Sequence, residues 1–332
     1  MSKKRDNDII VSFLGGNSSD VTGSATLISY LSEKDERKCI LIELGMIQGN
    51  KTVLEEYREN KKMIDNIPLE SISSVYILHS HCDHIGLLPS IVTKNPNCRV
   101  ITTKACAKIS EKLLIDASHI YKENMIYLKE KGNKVNPLYT DKDTYDIISK
   151  FEIYEIGKVY NLDKMVSFRF LNNSHVVGAT QLELWIKKKS GQTKKLLFTS
   201  DLGSKTNKPF QYFTKDTDIV SKANLMVIES TYGGKPTFAK QECIDERRKF
   251  KQLVNEYVLQ NKRKAFTPVF SFCRLQNMMC LTYELFKDTW DYSIPIVVDT
   301  RLGNQINDVY ENILEGEDLE YWKEVKSWKA FK

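Results

Sequence analysis

The sequence carries the run His79-Ser80-His81-Cys82-Asp83-His84, which places three of its five histidines and an aspartate within six positions. An apolar stretch, "VYIL", runs directly into it, so the cluster is expected on a loop that leaves a buried strand. Imidazole nitrogens and carboxylate oxygens are good ligands for zinc-type ions. Two imidazoles two residues apart, followed by a carboxylate and another imidazole, can face two adjacent ions. Two further donors close strand-like stretches: His175 in "NNSHVVGAT" and Asp201 in "LLFTSDLG". Alone, that histidine would read as a hydrogen-bonded core or surface residue, and that aspartate as a turn former before glycine. With the cluster upstream, both become candidate ligands.

The elements that must position these residues are legible as alternating strands and helices. "IIVSFLGG", "SATLISYL" and "KCILIELG" read as three strands separated by turns. Residues 53–65 have helical spacing and stop before Pro68. "SSVYILHS" is a strand, "IGLLPSIVTK" begins a helix, and "CRVITTKACAKISEKLLIDASHIYKEN" is a strand, a turn and a long helix. Residues 141–150 read as another helix. The strands "FEIYEI", "VSFRFLNNSH", "TQLELWIKKK", "KKLLFTSD" and "NLMVIESTYGG" follow, with a hairpin at Ser190-Gly191-Gln192. Beyond them, helices over 241–262 and 275–287 alternate with "KAFTPVF" and "IPIVVDT", the pattern of a doubly wound α/β unit.

A chain of 332 residues has room for two domains, or one large α/β domain with an insertion. A net charge of +6 is compatible with a polyanionic ligand without demanding one. Lys187, Lys188, Lys189, Lys194 and Lys195 flank the hairpin turn; they could track phosphates, but a solvated tip guarding a sheet edge is the preferred reading. The seven cysteines are scattered and form no Cys-x-x-Cys pair, which points to free thiols in a reducing cytoplasm. The polar stretch Met1 to Asp8 does not read as a signal peptide, and no apolar run reaches the length of a membrane span.

The order His-x-His-x-Asp-His, then a histidine in a glycine-flanked loop, then an aspartate closing an apolar strand, resembles the metallo-β-lactamase fold. "ESTYG" (Glu229 to Gly233) after a buried strand resembles the motif that opens the β-CASP insertion of nucleases. "VFSFCRLQN" and "IVVDTRLG" are weaker matches to that family's later segments, and the likeness covers roughly Ile9 to Tyr310. The resemblance implies an α/β protein: an αββα sandwich, incomplete at its C-terminal part, over 1–235, and a partial Rossmann-like β-CASP domain over 236–332. It implies two zinc ions, with manganese as an alternative. His79, His81 and His175 would hold one ion, Asp83 and His84 the other, and Asp201 would bridge them. A hydroxide between the ions would attack phosphorus in line. Asp83 and Glu229 are the implied catalytic carboxylates, the latter orienting a general-acid histidine. Glu43, where the family usually has aspartate, would hold a ligand histidine in one tautomer. Arg274, Gln276, Ser230, Thr231 and Thr300 would meet the substrate, with Tyr232 and Phe272 able to stack on bases. Single-stranded RNA is the implied substrate, DNA the alternative, and the compartment cytoplasmic.

The sequence departs from the family pattern in places. Cys273 and Asn277 replace a glycine and a glutamate, and Thr300-Arg301 follow Asp299. The family places two more histidines late in the chain, a general acid and a ligand of the second ion, and no histidine follows His175. His119, on a helix, is expected to be solvated. The expectation is therefore an incomplete chain, with missing residues or a partner (a second polypeptide or a second copy) needed for full activity. The alternatives are a non-catalytic RNA-binding subunit and a small-molecule hydrolase acting on thioesters, lactones or lactams.

Overall fold

A computed structural model describes residues 9–16, 22–49, 51–203, 212–231, 233–234 and 240–332. Tyr232 lies outside them. The chain divides into two units. The first comprises the described parts of Met1–Asn173, Gly178–Asp201 and Thr217–Glu229; the second comprises Ser174–Val177 and the described parts of Leu202–Asp216 and Ser230–Lys332.

The first unit contains two sheets. One has six strands in sequence order: β1 (Ile9–Gly15), β2 (Ala25–Leu31), β3 (Arg37–Ile42), β4 (Ile72–Tyr76), β5 (Arg99–Thr102) and β6 (Phe151–Ile153). The first three run antiparallel, and β3 to β6 are parallel to one another. The other sheet contains β7 (Tyr160–Asn161), β8 (Val166–Asn172), β9 (Thr180–Lys187), β10 (Thr193–Phe198) and β11 (Leu225–Val227), in the order β11-β10-β9-β8-β7. All its pairs are antiparallel except β10 with β11.

Strand side chains alternate between faces, and the sequence uses both. Ile40 and Ile42 of β3, Tyr76 and Ile101 turn inward against Phe168, Phe170, Leu182, Leu184 and Phe198 of the other sheet. Cys39, Leu41, Val75 and Val100 turn outward against helices. Those helices are α1 (Val53–Asn66), α2 (Cys82–Ile85), α3 (Pro89–Val92), α4 (Lys104–Glu130) and α5 (Asp141–Ile148). α1 starts at a reciprocal capping box of Thr52 with Glu55, and α5 at one of Thr140 with Asp143. Leu114, Tyr121, Met125 and Leu128 give α4 its buried face. A helix layer thus backs the first sheet, and the second sheet covers its other side. Tyr30 and Asp163 tie the two sheets together through a 3.0 Å hydrogen bond.

Two of the hairpin lysines have acidic partners within the chain. Lys189 pairs with Asp35, and Lys195 pairs with buried Glu183 at 2.5 Å while lying over Trp185.

The second unit contains α6 (Lys240–Leu253), α7 (Arg274–Phe286), α8 (Arg301–Ile313) and α9 (Gly316–Lys326). A seven-residue π-helix, Val254–Gln260, continues α6 to within two residues of the end of the expected helix. Its core is aromatic: Trp322 is fully buried and its ring lies 5.4 Å from Tyr310 and 5.9 Å from Phe213. The expected strands "KAFTPVF" and "IPIVVDT" do not form here as ladders. Residues 261–270 are all exposed, and Ile296 makes only an isolated parallel bridge to Phe331. Pro268 and Pro295 each remove a ladder donor from these stretches.

Candidate metal centre

β4 delivers the histidine run to one edge of the first sheet. Its apolar core continues through Ile77 and Leu78, both fully buried, so the chain emerges at His79 with no slack. The run then turns into α2, with His81 as its N-cap. Gly45 makes this packing possible: a Cβ there would stand 1.5 Å from the Asp83 carbonyl oxygen. The same carbonyl accepts a 2.8 Å bond from the Ser24 amide, and His84 O accepts from Leu44 N.

The histidine rings gather in that corner. His79 and His84 are buried, with ring centroids 3.8 Å apart, and the His81 ring lies 5.0 Å from His79, edge on. Asp201, three residues past β10, reaches both buried rings: Oδ2 is 3.8 Å from His79 Nε2 and Oδ1 is 3.3 Å from His84 Nε2. Asp83 Oδ2 is 3.7 Å from His84 Nε2. One ligand atom each from His79, His81 and Asp201 lie within 4.8 Å of one another.

Glu43 sits behind the rings, fully buried. Its Oε2 accepts from His84 Nδ1 at 2.7 Å and from the Ser24 hydroxyl at 2.8 Å; its Oε1 accepts from the Ser200 hydroxyl at 2.6 Å. Burial pushes the Glu43 carboxyl up, but the His84 charge and the nearby His79 and His84 ring nitrogens outweigh it and hold the group ionised. Burial likewise disfavours charge on His84, yet Glu43 and Asp201 raise its pKa well above the usual imidazole value. The Glu43 backbone has φ +60°, a left-handed conformation that side-chain-bearing residues rarely adopt.

His175 follows β8 in the loop Ser174–Val177. Two residues before it, the Asn173 side-chain amide donates to the Asp201 carbonyl at 2.7 Å. Glu229 is placed by pairing: β10 and β11 are parallel in register, Phe198 opposite Val227, so Asp201 and Glu229 leave the sheet at the same edge. His119 is exposed on α4, as expected.

The other sequence-derived residues belong to the second unit. Arg274 is exposed in the first turn of α7, and Ser230 and Thr231 are exposed. Thr300 caps α8, its hydroxyl accepting from Gly303 N at 3.1 Å. Gln276 is fully buried, and its amide nitrogen donates to Ser271 O and Asn307 Oδ1, which ties α7 to α8. Both amide hydrogens are thereby committed, while the buried Oε1 accepts no hydrogen bond among the described residues.

Sequence reasoning missed Ser24 and Ser200, the two hydroxyls on Glu43. Neither stands out by type or spacing. A local signal for Ser200 is its place directly before the candidate ligand Asp201.

No family model matches the chain. Curated ribonucleases do. It is 23% identical over 302 residues to Ribonuclease TTHA0252 of Thermus thermophilus, covering 90% of this chain and 60% of that protein. It is 23% identical over 301 residues to Endoribonuclease YSH1 of Saccharomyces cerevisiae, covering 89% of this chain and 36% of that protein. Over 291 residues it is 26% identical to Cleavage and polyadenylation specificity factor 73 of Drosophila melanogaster, covering 84% and 38%. The resemblance to β-CASP ribonucleases therefore runs along most of the chain and is not confined to the motifs. The chain spans about 60% of the first of these relatives and under 40% of the other two.

Proposed function

We propose that this chain is a metal-dependent hydrolase of RNA phosphodiester bonds. The observation that carries the reading is the clustering of imidazoles and carboxylates at one sheet edge, with a buried glutamate behind the rings, in a chain whose relatives are ribonucleases. The donor set fits a divalent ion: borderline-soft nitrogens with a carboxylate between them. His79, His81 and His175, with Asp201, would hold one ion; Asp83 and His84, with Asp201, would hold the second. Zinc suits these ligands best, with manganese as the alternative. Such an ion supplies Lewis-acid polarisation of a phosphoryl oxygen and acidifies water.

The chain's own residues do the rest. Glu43 fixes ring orientation. Glu229, at the same edge as Asp201, takes part in proton handling. Arg274, Ser230, Thr231 and Thr300 contact the RNA backbone. The chemistry lies within 1–235, and the RNA contacts come from Ser230 and Thr231 at the end of that stretch and from Arg274 and Thr300 within 236–332. A cytoplasmic location fits the free thiols; among the described residues no helix is long and apolar enough to cross a membrane. A second reading is a non-catalytic or weakly catalytic RNA-binding subunit; within these 332 residues no histidine after His175 is present to act as general acid.

The test is cleavage of single-stranded RNA and DNA by the purified chain with zinc or manganese, beside Asp83→Ala. The first reading expects metal-dependent RNA cleavage that Asp83→Ala abolishes while RNA binding persists. RNA left intact by the wild-type chain, with equal binding by both proteins, supports the second.

A further inference from the structure

Ser200 stands between His79 and Glu43. Its hydroxyl oxygen lies 3.0 Å from His79 Nδ1 and 2.6 Å from Glu43 Oε1, whereas the direct His79 Nδ1 to Glu43 Oε1 distance is 3.5 Å. A hydroxyl has one proton. The buried carboxylate can only accept, so Ser200 must give its proton to Glu43. The Ser200 oxygen then faces Nδ1 as an acceptor, and Nδ1 must carry the hydrogen. His84 presents Nδ1 to the other oxygen of the same carboxylate directly, at 2.7 Å. One carboxylate thus orients two rings, one by contact and one through an intermediary, and both rings turn Nε2 toward Asp201.

The backbone shows that the intermediary is held against its own preference. Ser200 has φ +50°, a left-handed conformation that side-chain-bearing residues rarely adopt. A glycine would sit there without strain. Such strain persists where the surroundings over-determine it, and the two side-chain hydrogen bonds made by Ser200 are what the strained position delivers.

We propose that Ser200 is a positioning residue: it fixes His79 as the Nδ1–H tautomer and so leaves Nε2 as the ligating nitrogen. It acts through His79 and touches no substrate. The proposal rests on the metal-hydrolase reading above for its purpose, and on the metal-free geometry for its substance.

Ser200→Gly and Ser200→Ala test it. Nitrogen-15 NMR of the histidine rings in the metal-free protein reads the tautomer. Wild-type His79 is expected as Nδ1–H, and both variants as a mixture. Zinc affinity, measured by competition with a chromogenic chelator, is expected to fall about 10- to 100-fold in both. Thermal midpoints separate this from a general structural effect: Ser200→Gly, relieved of strain, is expected to melt no lower than wild type while still losing affinity. Unchanged tautomer and zinc affinity within twofold in both variants would overturn the proposal. A loss of affinity that merely tracks a loss of stability would overturn it too. Should the wild-type chain bind no zinc, the hydrolase reading fails, while the tautomer measurement still decides the role of Ser200.

Discussion

Asp201 Oδ1 lies 3.3 Å from His84 Nε2, while the opposite nitrogen of that ring is held 2.7 Å from Glu43. The ring is gripped at both ends by carboxylates, and the grip on the Nε2 side is the one a cation would share. Zinc is therefore expected to raise the thermal midpoint of the wild-type chain, by about 2.7 kcal/mol of added stability at a hundredfold excess over Kd. Chelator should reverse the gain. Asp201→Ala should melt at one temperature with or without zinc, and calorimetric scans in both conditions would check it.

Gly45→Ala is expected to destabilise the protein by about 3 kcal/mol, because the new methyl would overlap the Asp83 carbonyl. Since that carbonyl belongs to a candidate ligand, residual folded protein should also bind zinc more weakly. Urea unfolding with a zinc titration reads both effects.

Asp163 provides the pH dependence. Burial pushes its carboxyl up, but the Met165 amide, the Tyr30 hydroxyl and the Lys38 ammonium outweigh that and hold it below its ordinary 3.8. A depressed pKa stabilises the folded state above the unfolded value and loses that effect as pH falls through the folded value. Asp163→Asn should therefore cost about 1 kcal/mol near neutrality. The difference from wild type should shrink in acid, as urea midpoints across a pH series would show.

Phe168 is fully buried between the sheets, 5.0 Å from the Tyr76 ring and 5.0 Å from the Tyr154 ring, edge on to both. Phe168→Ala is expected to cost about 3–5 kcal/mol, seen as a lower denaturant midpoint with an unchanged slope.

Arg274 and Gln276 should behave oppositely despite lying two positions apart. Arg274→Ala, at an exposed site, is expected to weaken RNA binding severalfold with stability unchanged. Gln276→Ala is expected to lose about 1–3 kcal/mol by stranding the Ser271 and Asn307 acceptors. Filter binding and thermal melts distinguish them.

Much of the first unit was legible because burial writes a pattern into the chain. β2 to β5 announce themselves by short apolar runs buried on both sheet faces, and α4 by its spaced Leu114, Tyr121, Met125 and Leu128. The metal-type residues were legible by chemistry, since imidazoles rarely crowd six positions without a task. The hydroxyls of Ser24 and Ser200 were not, because they act on Glu43 from 19 and 157 residues away and small polar residues carry no period. In the second unit, α8 carries a helical signal in Leu302, Ile306, Val309, Tyr310 and Ile313, and it begins directly after the Asp299 motif. The two proline-bearing stretches read as strands by composition, yet their backbones find almost no ladder partner.

The bond between Glu43 and Ser200 also sets an order of events during synthesis. A growing chain exposes the histidine run long before Ser200 and Asp201 exist, and until the two sheets meet, the rings have no common orientation. Closing a loop of 157 residues carries an entropic cost that only the buried interface between the sheets can offset. Tight capture of an ion at these rings would therefore wait for the last of these strands, and a bound ion would act as a seal on a finished sandwich.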